Sequence, residues 1–131
     1  MNIGLIADDS RKKLMQNFCI ACRSVLSKNT LFATETTGRV IEEVTNLEVN
    51  KLLAGHLGGV AQLTSQVDHN LIDVIIYLRD PNKKTTSFSD ESLFSLCDLK
   101  NIPVATNLAT AELIIKALER GDLMWRELYK L

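Results

Sequence analysis

Hydroxyl groups, glycines and a lysine stand at points in this sequence where they could hold a phosphate. Thr34, Thr36 and Thr37 follow one apolar stretch, and Gly55 follows the next one. Hydroxyls and free backbone N–H groups at a helix N-terminus bind phosphate without requiring a positively charged protein. Lys12, one turn into the first predicted helix, could add a positive charge. The pattern predicts a site for a phosphorylated small molecule.

Carboxylates occupy the same kind of position, directly after apolar stretches. Asp8 and Asp9 follow the first such stretch, and Asp80 follows the most apolar stretch of the chain. The strand ends therefore carry carboxylates close to the groups that could bind an anion.

Short apolar runs alternate with amphipathic helical patterns, which is typical of a parallel sheet with helical crossovers. The predicted strands are Ile3–Ala7, Thr30–Thr34, Val49–Leu53, Ile72–Leu78 and Pro103–Thr106. Helices are predicted from Asp9 or Ser10 to Leu26, from Thr37 to Thr45, from Val60 to Val67, from Glu91 to Leu99 and from Thr110 to Arg120, the last closed by Gly121. The predicted fold is a single doubly wound α/β domain over residues 1–131, a five-stranded parallel sheet with helices in flavodoxin-like layers. Ligands of such sheets bind outside the carboxyl ends of the strands, where the candidate residues stand.

The composition excludes several classes of function. The net charge is −1, so bulk electrostatics does not favour a nucleic acid or an anionic membrane as partner. No apolar run approaches the roughly 20 residues of a membrane span, and the N-terminus lacks the basic start of a signal peptide. A cytoplasmic protein is expected. Cys19 and Cys22 fall in the middle of a predicted helix, where they act as small hydrophobic residues, and no second pair of ligands suggests a metal site.

Five segments, in order, carry a resemblance to a known family: Ile-Gly-Leu-Ile-Ala-Asp-Asp with Lys12, Leu-Phe-Ala-Thr-Glu-Thr-Thr-Gly, Leu-Ala-Gly-His-Leu-Gly-Gly, Asp-Val-Ile-Ile-Tyr-Leu-Arg-Asp-Pro, and Asn-Ile-Pro-Val-Ala-Thr-Asn-Leu-Ala-Thr-Ala. At this order and spacing the chain resembles the methylglyoxal synthase family over essentially its full length. The resemblance implies a homohexamer that converts dihydroxyacetone phosphate to methylglyoxal and inorganic phosphate, with no metal and no organic cofactor. A carboxylate takes a proton next to the carbonyl, and phosphate leaves from the enediolate. Related domains regulate carbamoyl phosphate synthetase or act as a cyclohydrolase in purine synthesis, so fold alone does not fix function.

Residue by residue, the resemblance extends to the phosphate-binding positions. It implies that phosphate is held by Lys12, Thr34, Thr36, Thr37 and Gly55, which match the family pattern. A serine expected before Gly55 is Ala54 here, which removes one hydroxyl donor. Asp9 and Asp80 match acids of the family motifs, and both are candidate catalytic residues.

The catalytic positions depart from the family. Where the family has Gly-Gly-Asp, with the aspartate as the proton-abstracting base, this chain has Val60 after its two glycines. Asp8 stands where the family has a histidine, and Asp90 is the candidate for the second catalytic carboxylate. Valine has no lone pair, and a positioned general base contributes about 10²–10⁴ in rate. Asp8, Asp9 or Asp90 must therefore take the role of base for full activity, and Asp8 is the best candidate.

Glu35 replaces a glycine of the family's threonine loop, which predicts backbone strain if that glycine needs a positive φ. Its charge, like that of Asp8, would oppose a bound dianion unless it points to solvent. Three hypotheses remain open. The protein is a methylglyoxal synthase of reduced activity with a rearranged acid–base set, a non-catalytic sensor of phosphate or a phosphate ester, or an enzyme acting on a related sugar phosphate through Asp8 and Asp9.

Overall fold

A computed structural model describes residues 1–128. Five strands form a single, entirely parallel sheet in the order β3-β2-β1-β4-β5. They are β1 (Asn2–Ala7), β2 (Thr30–Ala33), β3 (Val49–Lys51), β4 (Val74–Leu78) and β5 (Val104–Ala105). The predicted five-stranded parallel α/β fold is confirmed. The last three residues of the predicted domain lie outside the described part of the chain.

Six helices connect and cover these strands within residues 1–128. They are α1 (Lys12–Ala21), α2 (Arg23–Leu26), α3 (Glu35–Thr45), α4 (Gly59–Asp68), α5 (Phe88–Lys100) and α6 (Leu108–Arg120). Short 3₁₀ turns lie at Asp9–Arg11, Gly55–Leu57 and Met124–Leu128. Across the described residues, no helix combines the length and the apolar character needed to cross a membrane.

The sheet is buried on both faces. Ile3 and Leu5 of β1 pack with the residues of α1, α3 and α6, whereas Ile6 packs with α4 and α5 on the other face. Strands covered on both faces consist almost entirely of apolar residues, which explains the long apolar run of β4. The chain winds outward from β1 in one direction through β2 and β3, and in the other through β4 and β5. The winding reverses between β1 and β4, and a crevice opens at such a point.

Several helix boundaries differ from the predicted ones because of local hydrogen bonds. α5 begins at Phe88 instead of Glu91, since the Ser87 hydroxyl accepts the backbone N–H of Asp90 at 3.1 Å. This places Asp90 in the first turn of a helix. α3 begins at Glu35, ahead of Thr37.

The prediction for the first helix is also wrong in detail. A 3₁₀ turn precedes it, the helix is interrupted at Cys22, and neither Asp9 nor Ser10 forms a capping hydrogen bond. Cys19 is buried inside this helix, and burial raises the pKa of its thiol to about 12. A thiol of that pKa is not reactive at neutral pH, which fits the hydrophobic role expected for it.

Candidate functional site

A cavity of about 630 Å³ opens at the carboxyl ends of β1, β2 and β4, where the winding of the sheet reverses. Except for Thr37, the residues that the sequence nominated all line it: Asp8, Asp9, Lys12, Thr34, Thr36, Gly55, Asp80 and Asp90. These side chains come from five separate segments of the chain. The parallel topology brings them together, because it places all strand ends at one edge of the sheet.

Lys12 and Thr34 form one wall of this pocket; together with Thr37, which contacts both but does not line the pocket, they make up what we call the lysine side. The Thr37 hydroxyl is fully buried and lies 3.1 Å from the Thr34 hydroxyl, which donates to it. It also accepts the backbone N–H of Ala7 at 3.2 Å and the Lys12 ammonium at 3.3 Å. Thr37 therefore lies behind the pocket and holds Lys12 and Thr34 in place, whereas Thr36 reaches the pocket directly.

The Lys12 ammonium is anchored before any ligand arrives. It donates to the carbonyl of Ala7 as well as to Thr37, and its side chain is only 19% exposed. Burial lowers the pKa of Lys12, and the charges of Asp9 and Asp8 oppose that shift. A partly desolvated cation has lost part of its water shell, so an anion in the pocket would meet a fixed positive charge.

The opposite wall, which we call the carboxylate side, consists of Asp8, Tyr77, Lys83 and Asp90. Asp8 is 11% exposed and accepts the backbone N–H of Asp80 at 2.7 Å and the Lys83 ammonium at 2.8 Å. Burial acts to raise the pKa of Asp8, but these donors outweigh it and hold the pKa below its usual value. Asp8 is therefore a weak base in this arrangement.

Tyr77 reaches the pocket from the centre of the sheet and lies between two carboxylates. Its hydroxyl lies 3.1 Å from each carboxylate oxygen of Asp90 and 3.3 Å from one oxygen of Asp8. Burial, followed by the charges of Asp90 and Asp8, raises the pKa of Tyr77, so the phenol remains protonated. Asp90 is itself buried, and within residues 1–128 the hydroxyl of Tyr77 is the donor recorded to its carboxylate.

Asp9 and Asp80 stand apart from this network. The Asp9 carboxylate is fully exposed at the mouth of the pocket, 3.8 Å from the Lys12 ammonium. Asp80 turns its carboxylate back on its own loop, where it accepts the backbone N–H of Asn82 at 2.8 Å. The backbone N–H of Asp80 donates to Asp8, whereas the Asp80 side chain stabilises its own loop.

The glycine-rich segment supplies the floor between the two sides. A Cβ on Gly59 would lie 2.0 Å from the carbonyl oxygen of Leu53, so only glycine fits at this crossing. Gly58 has a φ of +101°, a conformation that glycine adopts readily. This close approach presses the start of α4 against β3 and leaves Val60, 7% exposed, as an apolar surface in the pocket.

Glu35 does not carry the strain that the sequence suggested. Within residues 1–128, the non-glycine residues with positive φ are Asn46, Asn70 and Asn101. Glu35 is an ordinary first residue of α3, and its carboxylate pairs with the Arg39 guanidinium one turn later at 3.0 Å. Arg39 thereby partly neutralises the negative charge of Glu35 and holds its carboxylate along α3.

Known proteins similar to this chain agree on one family. The family model described as the MGS-like domain matches residues 18–106. Methylglyoxal synthase of Caldicellulosiruptor saccharolyticus is 56% identical over 129 residues, covering 98% of this chain and 92% of the relative. That of Alkaliphilus metalliredigens is 50% identical over 131 residues, covering 99% and 98%. This chain belongs to the methylglyoxal synthase family.

The fold agrees with a solved member of the family. The crystal structure of methylglyoxal synthase from Elizabethkingia anophelis NUHP1 superimposes with a TM-score of 0.80 at 36% identity, covering 87% of this chain and 76% of that one. The similarity thus extends from the sequence to the arrangement of strands and helices around the pocket.

Sequence reasoning missed several residues of this family member's pocket. Neither Tyr77 nor Lys83 was nominated from the sequence, and both line the pocket. A signal for Tyr77 existed, because a buried tyrosine hydroxyl needs a hydrogen-bond partner and its strand ends at the pocket. Other lining residues that were not nominated are Ser10, His56, Ser87 and Ser89.

Metal chemistry was a further possibility for so many acidic residues. In the part of the chain that the structure describes, no group of three or more His, Cys, Asp or Glu side chains is arranged to hold a metal ion. The acids of the pocket are instead separated by Lys12, Tyr77 and Lys83, which pair with them.

Proposed function

We propose that this chain binds dihydroxyacetone phosphate, or a similar three-carbon phosphate ester, and eliminates phosphate from it to give methylglyoxal. The observation that carries the proposal is the single pocket in which an anchored lysine faces a buried carboxylate. Lys12, Thr34, Thr36 and Gly55 would hold the phosphate on one side. The acids on the other side would exchange the protons.

The geometry favours Asp90 as the proton acceptor over Asp8 and Asp9. The oxygens of Asp8 are occupied by Lys83 and by the Asp80 backbone, and its pKa is lowered. The carboxylate of Asp9 stands in solvent. Asp90 is buried, lines the pocket and has the Tyr77 hydroxyl as its recorded donor within residues 1–128. In this assignment Asp90 takes the proton from the carbon beside the carbonyl, and the electron pair remains on the substrate as the enediolate. The bond from carbon to the phosphate oxygen then breaks, phosphate leaves with the electron pair of that bond, and the enol that remains takes up a proton at its methylene carbon to give methylglyoxal.

Turnover is proposed to be reduced, because Val60 occupies the position where the resemblance places the family's base. A misplaced general base costs a large part of the 10²–10⁴ in rate that a well-placed one contributes. A carboxylate at position 60 would face the same pocket, since the Val60 side chain already lines it.

The test compares the natural chain with Val60→Asp on dihydroxyacetone phosphate, measuring both released phosphate and methylglyoxal. Ala61→Asp is the matched control, because it adds the same charge at the next, exposed residue of α4. We expect slow turnover by the natural chain, a rise of about 10²-fold or more in Val60→Asp and no rise in Ala61→Asp. Turnover by the natural chain that is unaffected by Asp90→Asn would contradict the assignment of Asp90.

A second candidate function is a non-catalytic sensor of phosphate or a phosphate ester. The apolar Val60 surface and the lowered pKa of Asp8 favour it, since valine has no lone pair and a carboxylate of lowered pKa is a weaker base. A natural chain that yields no methylglyoxal, but whose melting temperature rises with inorganic phosphate, would replace the first proposal with this one. If phosphate leaves the melting temperature unchanged as well, both proposals fail.

The remaining properties follow from the family resemblance and are proposed with it. The chain would act without metal or organic cofactor, in the cytoplasm, with no nucleic-acid or membrane partner. It would assemble as a homohexamer, which sedimentation or light scattering would detect as six times the 14.6 kDa chain mass.

A further inference from the structure

Tyr77 lines the pocket, but the proposed reaction assigns no role to it. It lies at the penultimate position of β4, on the face covered by α4 and α5, and its ring packs 5.9 Å from that of Phe94. Its hydroxyl is directed at Asp90, equally close to both carboxylate oxygens. The strand and the packed ring fix the hydroxyl, so Asp90 is held by a rigid part of the sheet.

A phenol has one proton to donate, and two carboxylates compete for it. Asp8 already accepts two strong hydrogen bonds, at 2.7 Å and 2.8 Å, and its contact with Tyr77 is longer, at 3.3 Å. Asp90 has no comparable donor among the described residues and lies closer. The proton of Tyr77 therefore belongs to Asp90.

We propose that Tyr77 is a positioning residue for proton abstraction: its hydroxyl holds the Asp90 carboxylate in place and turned toward the pocket, ready to accept the substrate's proton. This inference rests on the proposed function, because it assumes that Asp90 is the acceptor. A general base contributes fully only when it is well placed beside the reacting carbon, and a hydrogen bond from a fixed donor limits how far a carboxylate can turn. The phenol loses no proton in the reaction, and the proton taken from carbon resides on Asp90.

Other charged groups around the pair must be separated from the effect of the hydroxyl. The loop after β4 contributes Lys83 and Asp80, the end of β1 and the start of α1 contribute Asp8, Asp9 and Lys12, and the glycine-rich turn contributes His56. On the far side of the Phe94 ring, the Arg79 guanidinium lies 5.3 Å from the ring centre. The face of α4 presents the apolar Val60. Tyr77→Phe changes none of these charges, so a shift in that variant isolates the hydroxyl.

The first experiment requires no activity. Carbon-13 NMR of aspartate-labelled protein at neutral pH resolves the carboxyl signals, and the Asp90 signal is the one lost in Asp90→Asn. We expect the chemical shift of that signal to change in Tyr77→Phe, because the Asp90 carboxylate loses its donor, and the Asp8 signal to change less. An unmoved Asp90 signal in a folded variant would overturn the inference.

The second experiment uses turnover of dihydroxyacetone phosphate. In Tyr77→Phe we expect kcat at neutral pH to fall about tenfold with KM little changed, because the base is held less firmly whereas the groups proposed to hold the phosphate are untouched. An unchanged kcat, or an effect confined to KM, would overturn the inference.

A third variant covers the case in which Tyr77→Phe does not fold. Incorporation of 3-fluorotyrosine in a Tyr129→Phe background leaves Tyr77 as the one tyrosine of the chain, with a more acidic hydroxyl and nearly unchanged shape. A stronger donor should change the chemical shift of the Asp90 signal more than that of the Asp8 signal, which a purely structural role would not do. An unmoved Asp90 signal would refute the inference. If the signals move as expected and no methylglyoxal forms, the proposed function fails and the coupling of Tyr77 to Asp90 stands.

Discussion

The lysine side and the carboxylate side of the pocket hold their charged groups in different ways. The Lys12 ammonium is fixed by a backbone carbonyl and by the buried Thr37 hydroxyl, so its position follows from the sheet itself. Asp8 is held partly by Lys83, whose side chain is 42% exposed on the loop after β4. The lysine side is built into the core, whereas Asp8 on the carboxylate side depends partly on a surface loop.

This difference separates binding from proton transfer. An anion site formed by buried hydrogen bonds persists when neighbouring residues change, because its partners belong to the strands. Basicity depends on every donor and charge around a carboxylate, so replacing a few residues alters it strongly. The same scaffold can therefore retain a phosphate site while its proton chemistry changes, as we propose for this chain.

The largest effect is expected at the floor that the two sides share. Gly59→Ala would place a Cβ against the Leu53 carbonyl and within 3.0 Å of Thr34, and should lower the free energy of unfolding by about 3 kcal/mol. Urea denaturation measures the loss. Gly55→Ala is the matched control, because nothing lies within 4 Å of its Cβ, and it should change stability by less than about 1 kcal/mol. Equal losses in the two variants would refute the role of the close approach.

Lys12→Met tests the lysine side alone. Removing a charge-assisted hydrogen bond should weaken the binding of inorganic phosphate by about 10- to 100-fold, measured by calorimetry. Lys13→Met, which removes the same charge from an exposed neighbour, should leave the affinity unchanged. If both variants weaken binding equally, the site acts through general charge and the anchored geometry is irrelevant.

Asp8→Asn tests the carboxylate side through the pH dependence of stability. Because the folded state lowers the pKa of Asp8, its contribution is fully present above the unfolded value of about 3.9 and is lost as the pH falls through the folded pKa. We expect the variant to be less stable by about 1–2 kcal/mol at pH 7 and the difference to shrink toward pH 3. Asp9→Asn, at a fully exposed carboxylate, should show no such dependence. A gap of constant size from pH 7 to pH 3 would contradict the assignment.

The smallest effect is expected at Glu35. Because its carboxylate pairs with Arg39, Glu35→Gln should change the affinity for inorganic phosphate by no more than about twofold. The helix should lose only about 0.3–0.5 kcal/mol of stability, as for other exposed pairs one turn apart. A gain of tenfold in phosphate affinity would show that the Glu35 charge faces the ligand after all.

The fold was predictable because each element carries its own signal. The apolar run of β4, the carboxylates after β1, the threonines after β2 and the glycine at the end of α6 are all local signals of a few residues. The direction of the strands then follows from the alternation of strand and helix. The boundary of α5 was missed, since a single hydrogen bond from Asp90 to Ser87 decides it.

The position of the pocket could be predicted from the sequence, whereas most contacts among its side chains could not. The residues at strand ends were nominated correctly as lining the pocket, with Thr37 as the exception. Its hydroxyl faces inward because the first turn of α3 directs it toward the backbone of β1. Tyr77 was not predicted as a pocket residue, because a hydropathy pattern reflects its apolar ring and not its hydroxyl.

By itself the sequence determined the parallel sheet, the edge at which a ligand would bind and the kinds of group present there. Only the tertiary structure decided which partners each carboxylate has. Asp8 meets Tyr77 and Lys83 across 69 and 75 residues of chain, and such partners shift the balance between its charged and neutral forms. Local sequence patterns determine at which point of a strand or helix a residue lies. The basicity of its side chain depends on groups that are distant in the sequence and that folding brings within a few ångströms.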